Sequence, residues 1–302
     1  MKRKARGFLW VVGLSLAAGL CIAGGPASTG NPAMDAQDSG SDERLDRILR
    51  LTKAYCARLD KAALDFVCFE DIKEEFSPLP ELGPDAILLG YGTQGMSFSY
   101  RTPKRGFART FVYDYQFIRK AGQSVENRTL IEEDGRAKKE PNAQLQTLSV
   151  RVQNALFGPV GLLSADRQSR HDYTIAGEET AGGKKVLLVD AVRRPPLDLE
   201  HVVGRLWILE KDASILKIEW SQTSVGNFEL IQDIARKLKA EPQLVSTTEY
   251  GIEKNGIRFP SRDTTEEAYI LKDNKRVVRS KTTIVYRDYK FFTVETEVDF
   301  RR

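Results

Sequence analysis

Histidine is nearly missing from this chain, with two residues in 302, and cysteine is scarce, with three. So few of the side chains that bind zinc, or that exchange protons near neutral pH, leave metal and histidine-based chemistry little to build on. The metalloprotease pattern HExxH and the serine-hydrolase pattern GxSxG are absent. His171 stands beside Asp172 at the start of an expected strand with no further ligand in register, so a structural role is expected for it. The run Gly177 to Lys185 (GEETAGGKK) carries Gly183 where a phosphate loop needs Lys, and reads as a polar hairpin tip. Acidic pairs such as Glu132-Glu133, Glu178-Glu179 and Glu266-Glu267 fall on opposite faces of a strand, and are read as solvated charge. The chain is expected to be no enzyme and to need neither cofactor nor metal.

Excess charge is missing too. The formal net charge is +4, and four basic residues, Lys2, Arg3, Lys4 and Arg6, precede any acidic one. They lead into an apolar stretch from Phe8 to Ile22 and small residues around Ala23, Gly25 and Ala27, the pattern of a secretory signal peptide over residues 1–27. The apolar stretch is short for a membrane span and has no basic stop-transfer flank. Without the signal the net charge is zero, which gives no electrostatic footprint for nucleic acid. The expected destination is outside the cytoplasm. Lipid anchoring at Cys21 is the lesser reading, because bulky Leu20 sits where a lipoprotein signal has a small residue. The run Gly24 to Ser41, small, polar and broken by Pro26 and Pro32, reads as disordered, so residues 28–41 become a linker and 42–302 a single folded domain.

Leu45, Ile48, Leu49, Thr52, Tyr55, Cys56 and Leu59 recur at helical spacing, with Asp42 and Glu43 in the first turn. The helix is expected to end between Asp60 and Ala63, with a strand beginning near Leu64. Cys56 and Cys68 are the cysteines left after export, and in an oxidising compartment a disulfide between them is expected. On one continuous helix they would lie ~18 Å apart, so the chain must fold back between them.

Beyond residue 85 turn signals recur at Ala121-Gly122, Asp134-Gly135, Gly182-Gly183, Lys211-Asp212, Asn255-Gly256 and Asp273-Asn274, each between runs of β-branched and aromatic residues. Such short connections make neighbouring strands antiparallel. Expected strands include 95–101, 108–119, 124–132, 171–177, 185–192, 204–210, 215–222, 244–253, 257–271 and 277–289, and a last one from Phe291 to Phe300. Two helices interrupt them. One is capped by Asn142 and ends at Gly158-Pro159; the other is capped by Asn227, with Phe228, Ile231, Ile234 and Leu238 on one stripe. The fold class is therefore α+β: a large curved antiparallel β-sheet of about 10–11 strands with about three helices on its concave side. Trp207, Leu216, Ile218, Trp220, Tyr250, Ile252, Tyr269, Ile284 and Tyr286 are the candidates to line that concavity.

The stretches FVYDYQFIRKAG, LFGPVGLL, GRLWILEKDASILKIEW, YGIEKNGIRFPSR and TTIVYRDYKFF, on an exported chain with an amphipathic N-terminal helix and a long meander, give residues 42–302 a resemblance to the LolA-like superfamily of bacterial cell-envelope proteins. The resemblance implies an open half-barrel with helices covering an apolar cavity, a periplasmic location, and an apolar ligand such as a lipid or a lipoprotein acyl chain. Relatives also include envelope-stress sensors, so docking of another envelope protein is the alternative. No functional residue carries over from the family, and a monomer is expected.

Overall fold

The computed structural model describes residues 32–62, 66–79, 87–91, 97–101, 103, 105–120, 123–147, 155–195, 202–225 and 228–292. The expected signal peptide, the expected cap Asn227 and all but the first two residues of the expected strand Phe291 to Phe300 lie outside the described residues, and Phe291 is the last residue of the strand that begins at Arg276. The chain forms two compact units, Met1–Ser39 and Gly40–Arg302, and every strand belongs to the second.

Helix α1 spans Pro32–Ala62. Ile48, Thr52, Tyr55, Cys56 and Leu59 are all buried, which is the stripe that the helical spacing predicts. The start differs from expectation, because part of the expected linker is helical. Pro32 occupies the first turn, where its missing N–H costs nothing, and Ala33, Met34, Ala36 and Gln37 are good helix formers.

Strand β1, Phe66–Phe76, follows and buries Phe66, Cys68, Glu70, Ile72, Glu74 and Phe76 on one face. The remaining strands are β2 (Ile87–Tyr91), β3 (Ser97–Arg101), β4 (Phe107–Lys120), β5 (Gln123–Glu133), β6 (Arg136–Glu140), β7 (His171–Ala181), β8 (Lys184–Arg193), β9 (Gly204–Leu209), β10 (Ile215–Trp220), β11 (Glu241–Glu249), β12 (Ile252–Lys254), β13 (Ile257–Phe259), β14 (Arg262–Ile270) and β15 (Arg276–Phe291). Eleven of them form one open antiparallel sheet in the order β6-β5-β4-β1-β15-β14-β11-β10-β9-β8-β7. β2-β3 and β12-β13 are separate hairpins. Expected turns fall where the chain reverses at Asp134 and Gly135, φ +48° and +74° between β5 and β6, and at Gly182 and Gly183, +56° and +74° between β7 and β8, while Ala121-Gly122 lies outside the described residues.

Three further helices are present among the described residues: α2 (Gly158–Leu163), α3 (Ala165–Gln168) and α4 (Phe228–Leu238). The stripe of α4 is the expected one, with Leu230, Ile231, Ile234 and Ala235 buried. The Asn142-capped helix is a correction. Asn142 has φ +53° in a turn, residues 143–147 are not helical, and a 3-10 turn at Ala155–Phe157 leads into α2 at the Gly158-Pro159 step where the sequence predicts a helix end. Proline is at home in a first helical turn, so the same dipeptide that stops one helix starts another.

The Cys56–Cys68 disulfide is also corrected, since both are free buried thiols. Cys56 Sγ donates to the Pro159 carbonyl at 3.4 Å, and Cys68 lies opposite Tyr115 in the β1/β4 register. Burial pushes the Cys56 thiol up to about 12 and the Cys68 thiol higher still, which keeps both protonated and unreactive.

Candidate ligand-binding site

Register shows that the covered face of the sheet has two apolar clusters with a polar band between them. In β11, Leu244, Ser246 and Thr248 are buried on one face and lie opposite Glu267, Thr265 and Asp263 of β14. Asp263 lies opposite Ile284 of β15, which lies opposite Ile72 of β1. The first cluster holds Ile72, Ile218, Tyr250, Ile284 and Tyr286 of the sheet side, with Ile48, Tyr55 and Leu59 of α1 and Leu162 and Leu163 of α2. The second holds Leu244 and Tyr269 with Ile231, Ile234 and Ala235 of α4.

The first cluster is rich in rings. Phe66 meets Phe259 edge-on at 5.2 Å, Tyr115 meets Phe117 at 5.6 Å, and Phe157 from the turn before α2 meets Phe117 at 4.8 Å. Hydrogen bonds from the wall hold the segment that covers it, Tyr250 Oη donating to Ala155 O at 2.8 Å and Tyr173 Oη to Leu162 O, and Gln168 Nε2 of α3 donates to Leu163 O at 2.8 Å within the segment. Gly158 is pressed against this wall. A Cβ there would stand 2.4 Å from Tyr250 Oη and 2.9 Å from a Trp220 ring carbon, so no other residue fits without displacement.

Buried charge is found in the polar band and also within the first cluster, where Glu70 lies opposite Tyr286 and Tyr113, and Arg128 opposite Tyr115. Arg128 gives Nε and Nη2 to Glu70 at 2.6 and 3.0 Å, and Nη1 to Glu126 at 2.9 Å, while its guanidinium lies 4.9 Å from the Tyr115 ring centre. Burial opposes the Arg128 charge, and the facing carboxylates of Glu70 and Glu126 outweigh it, so the guanidinium stays protonated. Arg109 bonds Glu74 at 2.6 Å, and Arg279 bonds Glu267 at 2.8 and 3.0 Å. Tyr269 donates to the same Glu267. Asp263 differs: Thr248 Oγ1 donates to its Oδ2 at 2.6 Å, and Trp220 Nε1 donates to Thr248 Oγ1 at 2.9 Å. Desolvation pushes the Asp263 carboxyl up to about 7.

Of the residues expected to line the concavity, Ile218, Tyr250, Ile284 and Tyr286 are brought together in the first cluster, with Trp220 and Ile252 packed at its margin. Tyr269 is on the same face but in the second cluster. Trp207 joins neither: Leu206 and Ile208 on either side of it are buried, and its ring faces Lys217, whose Nζ is 3.3 Å from the ring centre, and Glu179. Leu216 is half-buried outside both clusters, because a register shift between Ile215 and Lys217 turns Ile215 and Ile218 inward together. Glu267, expected as solvated charge, is buried with Glu70 and Glu74. The signal for such an acidic band is the alternation itself, since Glu70 and Glu74 share the parity of Phe66, Cys68, Ile72 and Phe76. His171 is buried, with both ring nitrogens 2.8 Å from carbonyls, of Arg167 and Val202, and Asp172 pairs with Arg194. No group of three His, Cys, Asp or Glu suited to a metal lies among the described residues.

An open antiparallel sheet covered on one face by helices defines the class. No protein-family model and no curated protein matches the chain. Among solved structures it is similar to a DUF1329 family protein from Desulfovibrio piger (9% identity, 80% of this chain and 92% of that one, TM-score 0.37). It is also similar to an outer membrane lipoprotein-sorting protein domain from Vibrio parahaemolyticus (8%, 82% and 94%, TM-score 0.36). A third is a LolA superfamily protein from Nitrosomonas europaea (14%, 80% and 94%, TM-score 0.29).

Proposed function

We propose that this is an exported, non-enzymatic protein of the cell envelope that binds a single-chain apolar ligand, such as a lipid or an acyl chain, between the first apolar cluster and the helices over it. The observation that carries the reading is the cover itself. α2 has six residues and the turn before it three, and both ends of this short piece are fastened by a few side-chain bonds to its carbonyls. The piece is short and covers a continuous sheet, and the apolar side chains it buries there, Leu156, Leu162 and Leu163, are ones that a hydrocarbon chain could replace. A ligand taking the place of α2 side chains would meet Ile218, Trp220, Tyr250 and Ile284, apolar and aromatic surface suited to a hydrocarbon chain. A monomer suffices for this.

Organic extraction of the purified full chain followed by mass spectrometry is expected to release lipid in stoichiometric amount, and native mass spectrometry to show added fatty acid bound one to one. Protein that carries no lipid and takes up none would overturn the reading, and recovery of a crosslinked envelope protein in its place would favour docking.

A further inference from the structure

Three of the four buried carboxylates on the covered face are matched by a guanidinium: Glu70 by Arg128, Glu74 by Arg109 and Glu267 by Arg279. The fourth, Asp263, is 2% exposed, has no cation bonded to it, and has an oxygen, Oδ1, without a hydrogen-bond partner among the described residues. Its other oxygen is held by Thr248, itself fixed by Trp220, so the carboxylate is oriented by neighbours that bring no positive charge. The groups that interact with it electrostatically are Glu70 of β1, Tyr250, and Tyr286 of β15, none of them cationic. A buried carboxylate in that state is costly, and an incoming ammonium would remove the cost by giving both charge and N–H donors. Asp263 also marks a boundary. Ile284 beside it belongs to the apolar cluster, while Thr265 and Glu267, next along the same face of β14, belong to the polar band.

From this placement we infer that Asp263 receives the polar end of the ligand and that this end is a protonated amine, with the hydrocarbon part lying under α2 against Trp220, Tyr250 and Ile284. The inference rests on the proposed function and narrows it to a class, amphiphiles with a single chain and a cationic amine.

The test uses the purified full chain, stripped of lipid, and calorimetric titration with dodecylammonium, dodecanol and dodecanoate below their micelle concentrations. Dodecylammonium is expected to bind about tenfold or more tighter than dodecanol, with dodecanoate weakest. Asp263→Asn is expected to abolish the preference for the amine over dodecanol. Equal binding of amine and alcohol by the unaltered protein, a comparison that needs no variant, would overturn the inference and leave the proposed function standing. An amine preference that survives in Asp263→Asn would overturn it as well. If none of the three binds, the proposed function fails and the inference with it.

Discussion

Arg128 shows how much the buried charge depends on single side chains. Its partner Glu70 is fully buried, whereas Glu126 keeps some solvent. Replacing Arg128 by Met leaves a carboxylate without charge compensation in the interior, a change that typically costs ~3–5 kcal/mol. Glu126→Gln, which leaves the Glu70 pair intact and keeps an oxygen for Arg128 Nη1, should cost less. Urea denaturation of the two variants checks the order, and similar losses would mean that Glu70 is not held by Arg128. Asp263 makes a prediction of the opposite sign. With the carboxyl pushed up to about 7, the folded chain keeps a proton that the unfolded chain has released above pH ~4. Stability from this group is therefore full below pH ~4 and is lost as pH rises to about 7. Asp263→Asn removes that slope. Its stability relative to the parent should be near even at pH ~4 and should rise, by up to a few kcal/mol, by pH ~8. A difference that does not change with pH would exclude a buried, uncompensated carboxylate at this position.

Among the elements, α2 begins at a glycine that leaves no room for a larger side chain. Gly158→Ala should cost ~1–3 kcal/mol by crowding Tyr250 and Trp220, and should weaken the Tyr250 bond to Ala155 that fastens the covering turn. Thermal unfolding and proteolysis near residue 158 measure the two effects. If Ala is tolerated at no loss, the close approach of α2 to the sheet is not a feature of the folded protein. The same helix shows what the sequence could and could not tell. α4 was legible because Ile231 and Ile234 lie on one stripe bounded by polar residues, and the strands were legible because glycine or asparagine sits where φ turns positive, as at Gly135 and Asn274. α2 was not, because Gly-Pro serves equally as a stop and as a start. Within the candidate site, Ile218, Tyr250, Ile284 and Tyr286 follow from period-two alternation. Leu216 does not, because a bulge is set by how β10 pairs with β9 and leaves no mark on β10 alone. The buried acids escape a reading of single strands because a carboxylate on an apolar face makes sense only with its arginine, and Glu70 and Arg128 belong to different strands.

At the scale of the whole molecule, the strand order makes β15 the keystone. It pairs with β1 from Phe66↔Phe291 to Phe76↔Ser280 and with β14 from Arg262↔Val285 to Ile270↔Arg276. On one side of it stand β1, β4, β5 and β6, and on the other β14, β11, β10, β9, β8 and β7; within the sheet nothing else among the described residues joins the two groups. The first strand of the sheet is thus unpaired along one edge until the last has been made, which places a long loop closure late in folding and makes the fold slow to form. It also removes any sub-sheet that could carry the site alone, because Asp263 and Thr248 lie on the β14 side while Glu70 and Arg128 lie on the β1 side. Ending the chain at Asn274 deletes β15 together with Ile284 and Tyr286 of the apolar cluster. The expected result is a chain that retains much of its far-ultraviolet strand signal, loses its near-ultraviolet aromatic signal, and unfolds on heating without the single cooperative transition of the parent. A sharp transition with intact aromatic signal in the shortened chain would mean that one of the two groups of strands folds by itself, and that the continuous sheet is not what positions the site.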